Sequence, residues 1–135
     1  MPENTSIPED MYGSLEELVS ATQKEILDLV KKKHPEVEEI AAKLKEQYKE
    51  IYLYAFSEDE FYIYRPIKRF EYKKLTMQYA ENQEKLGEEI VKLGVLHPKL
   101  DDEKLDDLKA GTVATLLELI FAASNFGASA PAIKL

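Results

Sequence analysis

The chain has no cysteine among its 135 residues. Disulfide bonds and thiolate metal sites are therefore excluded, and nothing in the composition indicates an oxidising compartment. Residues 1–6 lack the positive start and apolar core of a signal peptide. The sequence therefore predicts a protein that stays in the cytoplasm.

Long hydrophobic runs are absent as well. The longest apolar stretch, residues 112–123, is interrupted by Glu118 and is shorter than the roughly 20 residues that a membrane-spanning helix needs. The formal net charge of -8 creates a field that repels polyanions. We therefore expect neither a membrane nor nucleic acid as the main ligand.

Residues that could carry chemistry are few. The two histidines, His34 and His97, each precede a proline and have no histidine or cysteine at metal-ligand spacing. The five glycines are isolated, so no phosphate-binding loop is present, and no serine lies in a nucleophile turn. The carboxylates between residues 101 and 107 lack the glycine and ligand order of an EF-hand. We predict no catalytic residue, no cofactor and no metal site, and hence a protein that is not an enzyme.

The hydrophobic periodicity predicts an α+β fold, a mainly helical single domain with an N-terminal helical hairpin, one β-hairpin and C-terminal helices. Residues 1–13 are predicted to be a flexible leader. Ser14 begins a helix that runs to Lys33, and Pro35 fits the first turn of a second helix. The domain is predicted to cover residues 14–126, with the helical hairpin at 14–50, the β-hairpin at 51–66, helices at 67–126 and a loose tail at 127–135.

The period changes from helical to alternating at Ile51. A polar connection at residues 57–60 joins two strands, and Tyr52, Tyr54, Phe61 and Ile63 are predicted to pack against the helices. Because two strands alone are marginal in water, the helices must cover one face or another chain must pair with the hairpin. A homo-oligomer is therefore left open.

The second half of the domain is predicted to be helical. One helix follows Pro66 and closes at Gly94 with a left-handed cap, and residues 95–98 form a buried turn. Asp101 or Asp102 caps a short acidic helix that ends near Gly111. Thr112 caps the last helix.

A basic and aromatic segment around residues 61–74 predicts a docking surface, because aromatic residues and arginine dominate interface hot spots. Two alternatives remain: stacking of single-stranded nucleic acid, which the net charge disfavours, and a purely structural role in the hairpin core. The apolar last helix lies either in the core or on a partner. The predicted partner-binding residues are Tyr62, Tyr64, Arg65, Lys68, Arg69, Phe70, Tyr72, Leu117 and Phe121.

The order of short motifs in residues 51–127 resembles that of the tail assembly chaperones and baseplate assembly proteins of long-tailed bacteriophages. The resemblance rests on an aromatic strand that ends in Tyr64-Arg65-Pro66, followed by Glu71-Tyr72, Glu88-Glu89-Ile90-Val91, Val95-Leu96-His97-Pro98 and Leu108-Lys109-Ala110-Gly111.

The resemblance implies a non-enzymatic protein that binds a tail protein, such as the tape measure or a baseplate component, in the host cytoplasm during virion assembly. It also implies that Arg65, Pro66, Glu71 and Tyr72 fix the corner between strand and helix, and that Val95, Leu96 and Pro98 hold the later turn. The alternative is a structural component of the baseplate, neck or tail that remains in the virion, where the exposed hairpin edge completes a neighbour's sheet.

Overall fold

The computed structural model describes residues 22–126 and 133–135. In this part of the chain, helices lie on both sides of a four-stranded antiparallel sheet. The predicted α+β, mainly helical, single-domain fold is therefore confirmed. The leader predicted for residues 1–13 and the helix start at Ser14 lie outside the described residues.

The N-terminal helical hairpin consists of helix α1, which covers residues 22–33, and helix α2, Glu36–Tyr48. Pro35 precedes α2 with φ -61, a value that suits a helix start, where the missing N–H is not needed. The apolar sides of both helices meet in one cluster with one face of the sheet. The buried helix residues of this cluster are Leu27, Val30 and Val37.

The β-hairpin has strand β1 at Tyr52–Ala55 and strand β2 at Phe61–Tyr64. In the connection, the Ser57 hydroxyl accepts the N–H groups of Asp59 and Glu60 at 3.3 and 3.1 Å. Lys33 Nζ reaches the Asp59 carboxylate at 2.8 Å. This ion pair joins the end of α1 to the tip of the hairpin.

The hairpin register decides which side chains share a face. Tyr52 lies opposite Tyr64, and Tyr54 lies opposite Tyr62, so the four tyrosines point to the same side of the sheet. The four hairpin residues predicted to pack against helices do so, but from opposite faces: Tyr52 and Tyr54 on one side, Phe61 and Ile63 on the other. Alternation along one strand identifies its two faces, but only the register matches them across strands.

Two further strands extend the hairpin on both sides, in the order β3-β2-β1-β4. Strand β3, Val95–His97, lies in the segment predicted as a turn, and strand β4, Ile133–Lys134, lies in the predicted loose tail. Residues 127–132 of that tail lie outside the described residues. Both hairpin edges are therefore paired, which contradicts the exposed edge expected for the structural virion alternative.

The predicted helix between Pro66 and Gly94 is two helices. Helix α3 covers Arg69–Gln78 and helix α4 covers Gln83–Gly94. The Asn82 side chain accepts the Lys85 N–H at 3.0 Å, which satisfies a free donor in the first turn of α4.

The ends of the later helices differ in part from the prediction. Asp101 caps helix α5, Asp102–Asp107, as predicted, although α5 ends before Gly111. Helix α6, Ala110–Ala123, begins before Thr112, which is buried inside it and is not its cap.

The left-handed cap predicted at Gly94 is also wrong, because no described glycine has a positive φ. Glycine favours close packing at this position, because a Cβ atom would lie 2.7 Å from Ile120 Cδ1. Helices α4 and α6 therefore approach closely at Gly94.

The sheet separates two apolar clusters. The face of Leu53 and Ile63 packs against α1 and α2, and the tyrosine face packs against α4 and α6. The residues of α4 and α6 that are buried in the cluster on the tyrosine face are Leu86, Ile90, Val91, Leu116, Leu119 and Ile120.

Candidate partner-binding site

The predicted partner-binding residues do not form one surface. Tyr62 and Tyr64 are 3% and 1% exposed, because α4 and α6 cover the tyrosine face of the sheet. These two side chains belong to the core, as the structural alternative proposed. Lys68, Arg69 and Phe70 are exposed.

Arg65 lies at the corner between β2 and α3. Its guanidinium donates two hydrogen bonds to the Glu71 carboxylate, both at 2.9 Å, and its Cζ lies 5.4 Å from the Tyr48 ring centre. The Glu71 carboxylate also accepts the Lys68 N–H at 2.9 Å. The side chain of Arg65 is only 11% exposed, so it positions α3 and is not free for a partner.

This corner also sets the ionisation of Glu71. The hydrogen bonds from Arg65 hold the pKa of the Glu71 carboxyl below its ordinary value, against the opposing effect of burial. Arg65 Nε is buried without a hydrogen-bond partner in the described part of the chain. The ion pair therefore holds both side chains in place, but the Nε–H group of Arg65 lacks a hydrogen-bond acceptor among the described residues.

Helix α3 has an outer side that no other described element covers. Phe70 and Met77 are 66% and 76% exposed, and Lys73 and Lys74 lie between them at helical spacing. With Gln78, these residues line a shallow groove. We call the four residues Phe70, Lys73, Lys74 and Met77 the α3 face.

The charge of the α3 face is not neutralised by any residue that the structure describes. Lys73, Lys74 and the adjacent Arg69 form no ion pair with any residue in 22–126 or 133–135. The inner side of α3 packs on the core through Tyr72, Leu75 and Tyr79, which are partly buried. The helix is thus held from one side while its apolar and basic outer side stays in solvent.

An aromatic cluster lies next to this corner. The Phe126 ring centre is 4.9 Å from those of both Tyr72 and Phe121, and Phe126 is 52% exposed. Phe121 and Leu117 are partly buried against the core, so the last helix lies mainly in the core. Of the predicted site, Tyr72 and Phe121 contact each other beside this corner and Leu117 lies close to Gly87 of α4. None of these three side chains forms the exposed part of the surface.

Met77 was missed by the sequence analysis. It lies outside the basic and aromatic segment, and single apolar residues on a helix are usually core. The available signal was its spacing of seven residues from Phe70, with two lysines between, on a helix whose other side already carries Tyr72, Leu75 and Tyr79.

Groups suited to acid–base chemistry are not prominent among the described residues. Burial raises the pKa of Tyr52 to about 12 and moves the pKa values of Tyr62 and Tyr64 upward. The lysines with a resolved shift have raised pKa values, and the carboxyls with a resolved shift have lowered ones. No resolved shift in the described part therefore brings a pKa towards neutrality. No group of three or more potential metal ligands is found in the same residues.

The acidic segment at residues 101–107 has local partners. Asp101 accepts the Lys104 N–H at 2.8 Å as the α5 cap, and Asp102 pairs with Lys92 at 2.8 Å. The Asp101 contact matches the predicted helix cap, whereas Asp102 forms an ion pair.

No family model, curated protein or solved structure matches this chain. Within residues 22–126 and 133–135, no helix combines the length and the apolar character needed to cross a membrane.

Proposed function

We propose that this protein is not an enzyme and acts by binding another protein through the α3 face. The proposal rests on the exposure of Phe70 and Met77 on either side of Lys73 and Lys74, which form no ion pair in the described part of the chain. Exposed apolar side chains grouped on one helix side are typical of interaction sites, and aromatic and methionine residues are enriched at interface cores. The complementary partner is an amphipathic segment with acidic residues beside its apolar ones.

We further propose that the partner is a phage tail protein, either the tape measure or a baseplate component, bound during assembly. The support for this identity is the order of sequence motifs in residues 51–127. The alternative proposal is a structural component of the baseplate, neck or tail that remains in the virion.

Quantitative mass spectrometry of purified particles and of the producing-cell lysate separates these roles. An assembly chaperone is expected only in the lysate, together with unassembled tail protein. A fixed copy number per particle would overturn the chaperone role in favour of the structural one. Absence of any associated particle or tail protein would overturn both.

The binding face is tested with the purified tail protein that co-purifies with the chain. We expect the double variant Phe70→Ser/Met77→Ser to bind at least tenfold more weakly, about 1.4 kcal/mol, as expected for hot-spot residues. Lys73→Glu/Lys74→Glu should weaken binding most at low salt. Unchanged binding by both folded variants would contradict the α3 face.

Matched controls are available on α1. Leu29 is 46% exposed, and Lys24 and Lys32 are exposed without an ion pair in the described residues. Leu29→Ser therefore repeats the change from apolar to polar on α1, and Lys24→Glu/Lys32→Glu repeats the charge reversal there. Both variants should bind the tail protein as the parent does. A single-stranded oligonucleotide serves as a competitor, and displacement of the tail protein by it would indicate nucleic-acid binding at this face.

A further inference from the structure

The outer edge of β1 is paired with a strand over only part of its length. Strand β4 pairs with the first half of β1, where Lys134 lies opposite Tyr52 and Ile133 opposite Leu53. Beyond β4, the Leu135 N–H donates to the Ile51 carbonyl at 3.0 Å. An added strand at this position obtains its main-chain bonds without regard to sequence.

A helix side chain closes the second half of the same edge. The amide of Gln23 on α1 donates to the Ala55 carbonyl at 3.0 Å and accepts the Ala55 N–H at 3.1 Å. Gln23 is 5% exposed, so these bonds are shielded from water. The position that a longer neighbouring strand would occupy is thus already filled at Ala55, and only the half beside Ile51 and Leu53 takes a strand.

The side chains of the strand that pairs with this edge point alternately to the core and to solvent. Ile133 and Leu135 pack against the cluster between the sheet and the α1–α2 hairpin, whereas Lys134 is exposed. Lys45 of α2 donates a hydrogen bond to the main-chain oxygen of Leu135. The site therefore accepts two apolar side chains separated by one residue that faces solvent.

The chain's own strand leaves space in this site. A groove of about 240 Å³ lies beside Leu135, between α1, α2 and β1. Its lining combines apolar side chains with three charged ones. The groove is smaller than the roughly 300–1,000 Å³ of small-molecule sites, so it suits a side chain of a bound segment. The lining residues that matter are Leu27, Val37, Ala41, Leu53, Lys31 and Glu38.

We propose that the β1 edge and this groove bind an extended segment of a partner protein with the pattern apolar-x-apolar, and that β4 occupies the site until the partner displaces it. The second apolar residue of the partner is larger than leucine and extends into the groove. This site lies apart from the α3 face and does not depend on it.

The test uses the full chain with Ile133→Asp and Leu135→Asp, which place charges in the apolar cluster and release β4. The probe is a labelled peptide with the sequence of residues 129–135, SAPAIKL, and binding is measured by fluorescence anisotropy. We expect this variant to bind the peptide at least tenfold more tightly than the parent. In the parent, the attached β4 competes at an effective concentration on the order of millimolar.

Two matched peptides sharpen the result. A peptide with aspartate at the Ile133 position should not bind, and one with phenylalanine at the Leu135 position should bind more tightly than SAPAIKL because it reaches the groove. Failure of the folded variant to bind either SAPAIKL or the phenylalanine peptide would overturn the proposal. Circular dichroism and NMR spectra of the variant confirm that it is folded.

Two further measurements distinguish related outcomes. If sedimentation shows a dimer of the parent that Ile133→Asp abolishes, the occupant is a second copy and the proposal for a foreign partner is overturned. Phe70→Ser/Met77→Ser in the β4-released variant should leave peptide binding unchanged. Failure of the proposed function at the α3 face is therefore separable from failure at the β1 edge.

Discussion

Helices α3 and α4 follow each other in the chain, and both carry apolar residues at helical spacing, yet they use them differently. Helix α4 buries Leu86, Ile90 and Val91 against the tyrosine face, while α3 has no fully buried residue. The most exposed large apolar residues of the described chain, Phe70 and Met77, lie on α3. The apolar residues of α4 are thus gathered on one side and make it a core helix, whereas those of α3 lie on two sides and leave one apolar side uncovered.

The largest expected effect comes from truncating one apolar residue on each helix. Ile90→Ala on α4 should lower the free energy of unfolding by about 3 kcal/mol, because it leaves a cavity in a fully buried site. Phe70→Ala on α3 should change it by less than about 0.5 kcal/mol. Urea unfolding followed by circular dichroism measures both. Equal losses of unfolding free energy would mean that Phe70 packs against other residues. The contrast between the two helices would then be wrong.

The next effect concerns how α3 is held. Arg65→Ala leaves the Glu71 carboxylate, 18% exposed, without its bidentate partner, and should cost roughly 2–3 kcal/mol. Lys68→Ala at the same corner serves as the control and should cost less than about 0.5 kcal/mol. Adding Glu71→Gln to Arg65→Ala should recover part of the loss. If stability is not recovered, the loss in Arg65→Ala comes from the missing packing of Arg65 on Tyr48.

A smaller effect distinguishes two helical glycines. Gly94→Ala should destabilise the protein by about 1 kcal/mol, because the new methyl group meets Ile120 at 2.7 Å. Gly111→Ala on α6 should stabilise it by about 0.5 kcal/mol, because no atom lies within 4 Å of the added Cβ and alanine favours helix. Thermal unfolding measures both changes in stability. If the two changes have the same sign, the close contact of α4 and α6 is contradicted.

The smallest effect is a pH dependence at the α3 corner. The pKa of Glu71 is lower in the folded state than its ordinary value of 4.5, so the unfolded state binds more protons between the two values. The contribution of Glu71 to stability is complete above about pH 4.5 and is lost as the pH falls through the folded pKa. The stability difference between the parent and Glu71→Gln should therefore be constant near neutrality and shrink in acid. A difference that does not change with pH would contradict the ion pair.

The local periodicity was sufficient to predict most helices and the β-hairpin. It failed where structure depends on distant pairing: β3 and β4 are too short to show alternation and exist because β2 and β1 bond to them. The break between α3 and α4 contains neither proline nor glycine. Asn82, a common helix cap, was its only signal.

The candidate site was predictable in part for the same reason. The exposure of Lys68 and Arg69 follows from their charge, whereas that of Phe70 depends on which side of α3 packs on the core. The burial of Tyr62 and Tyr64 depends on helices that lie further along the chain and cover the second face of the sheet. A half-buried hairpin and a fully buried one have similar local sequences, so this difference becomes visible only in the assembled fold.

The bonds between Gln23 and Ala55 make one amide a reporter of helix docking. The Ala55 N–H donates to a side chain of α1, not to a strand, so its exchange with deuterium requires only that α1 move away from the sheet. The other hydrogen bonds of the hairpin can stay closed during that motion. The exchange rate of this single amide, compared with those of its neighbours in β1, therefore measures how often the helical hairpin separates from the sheet in solution.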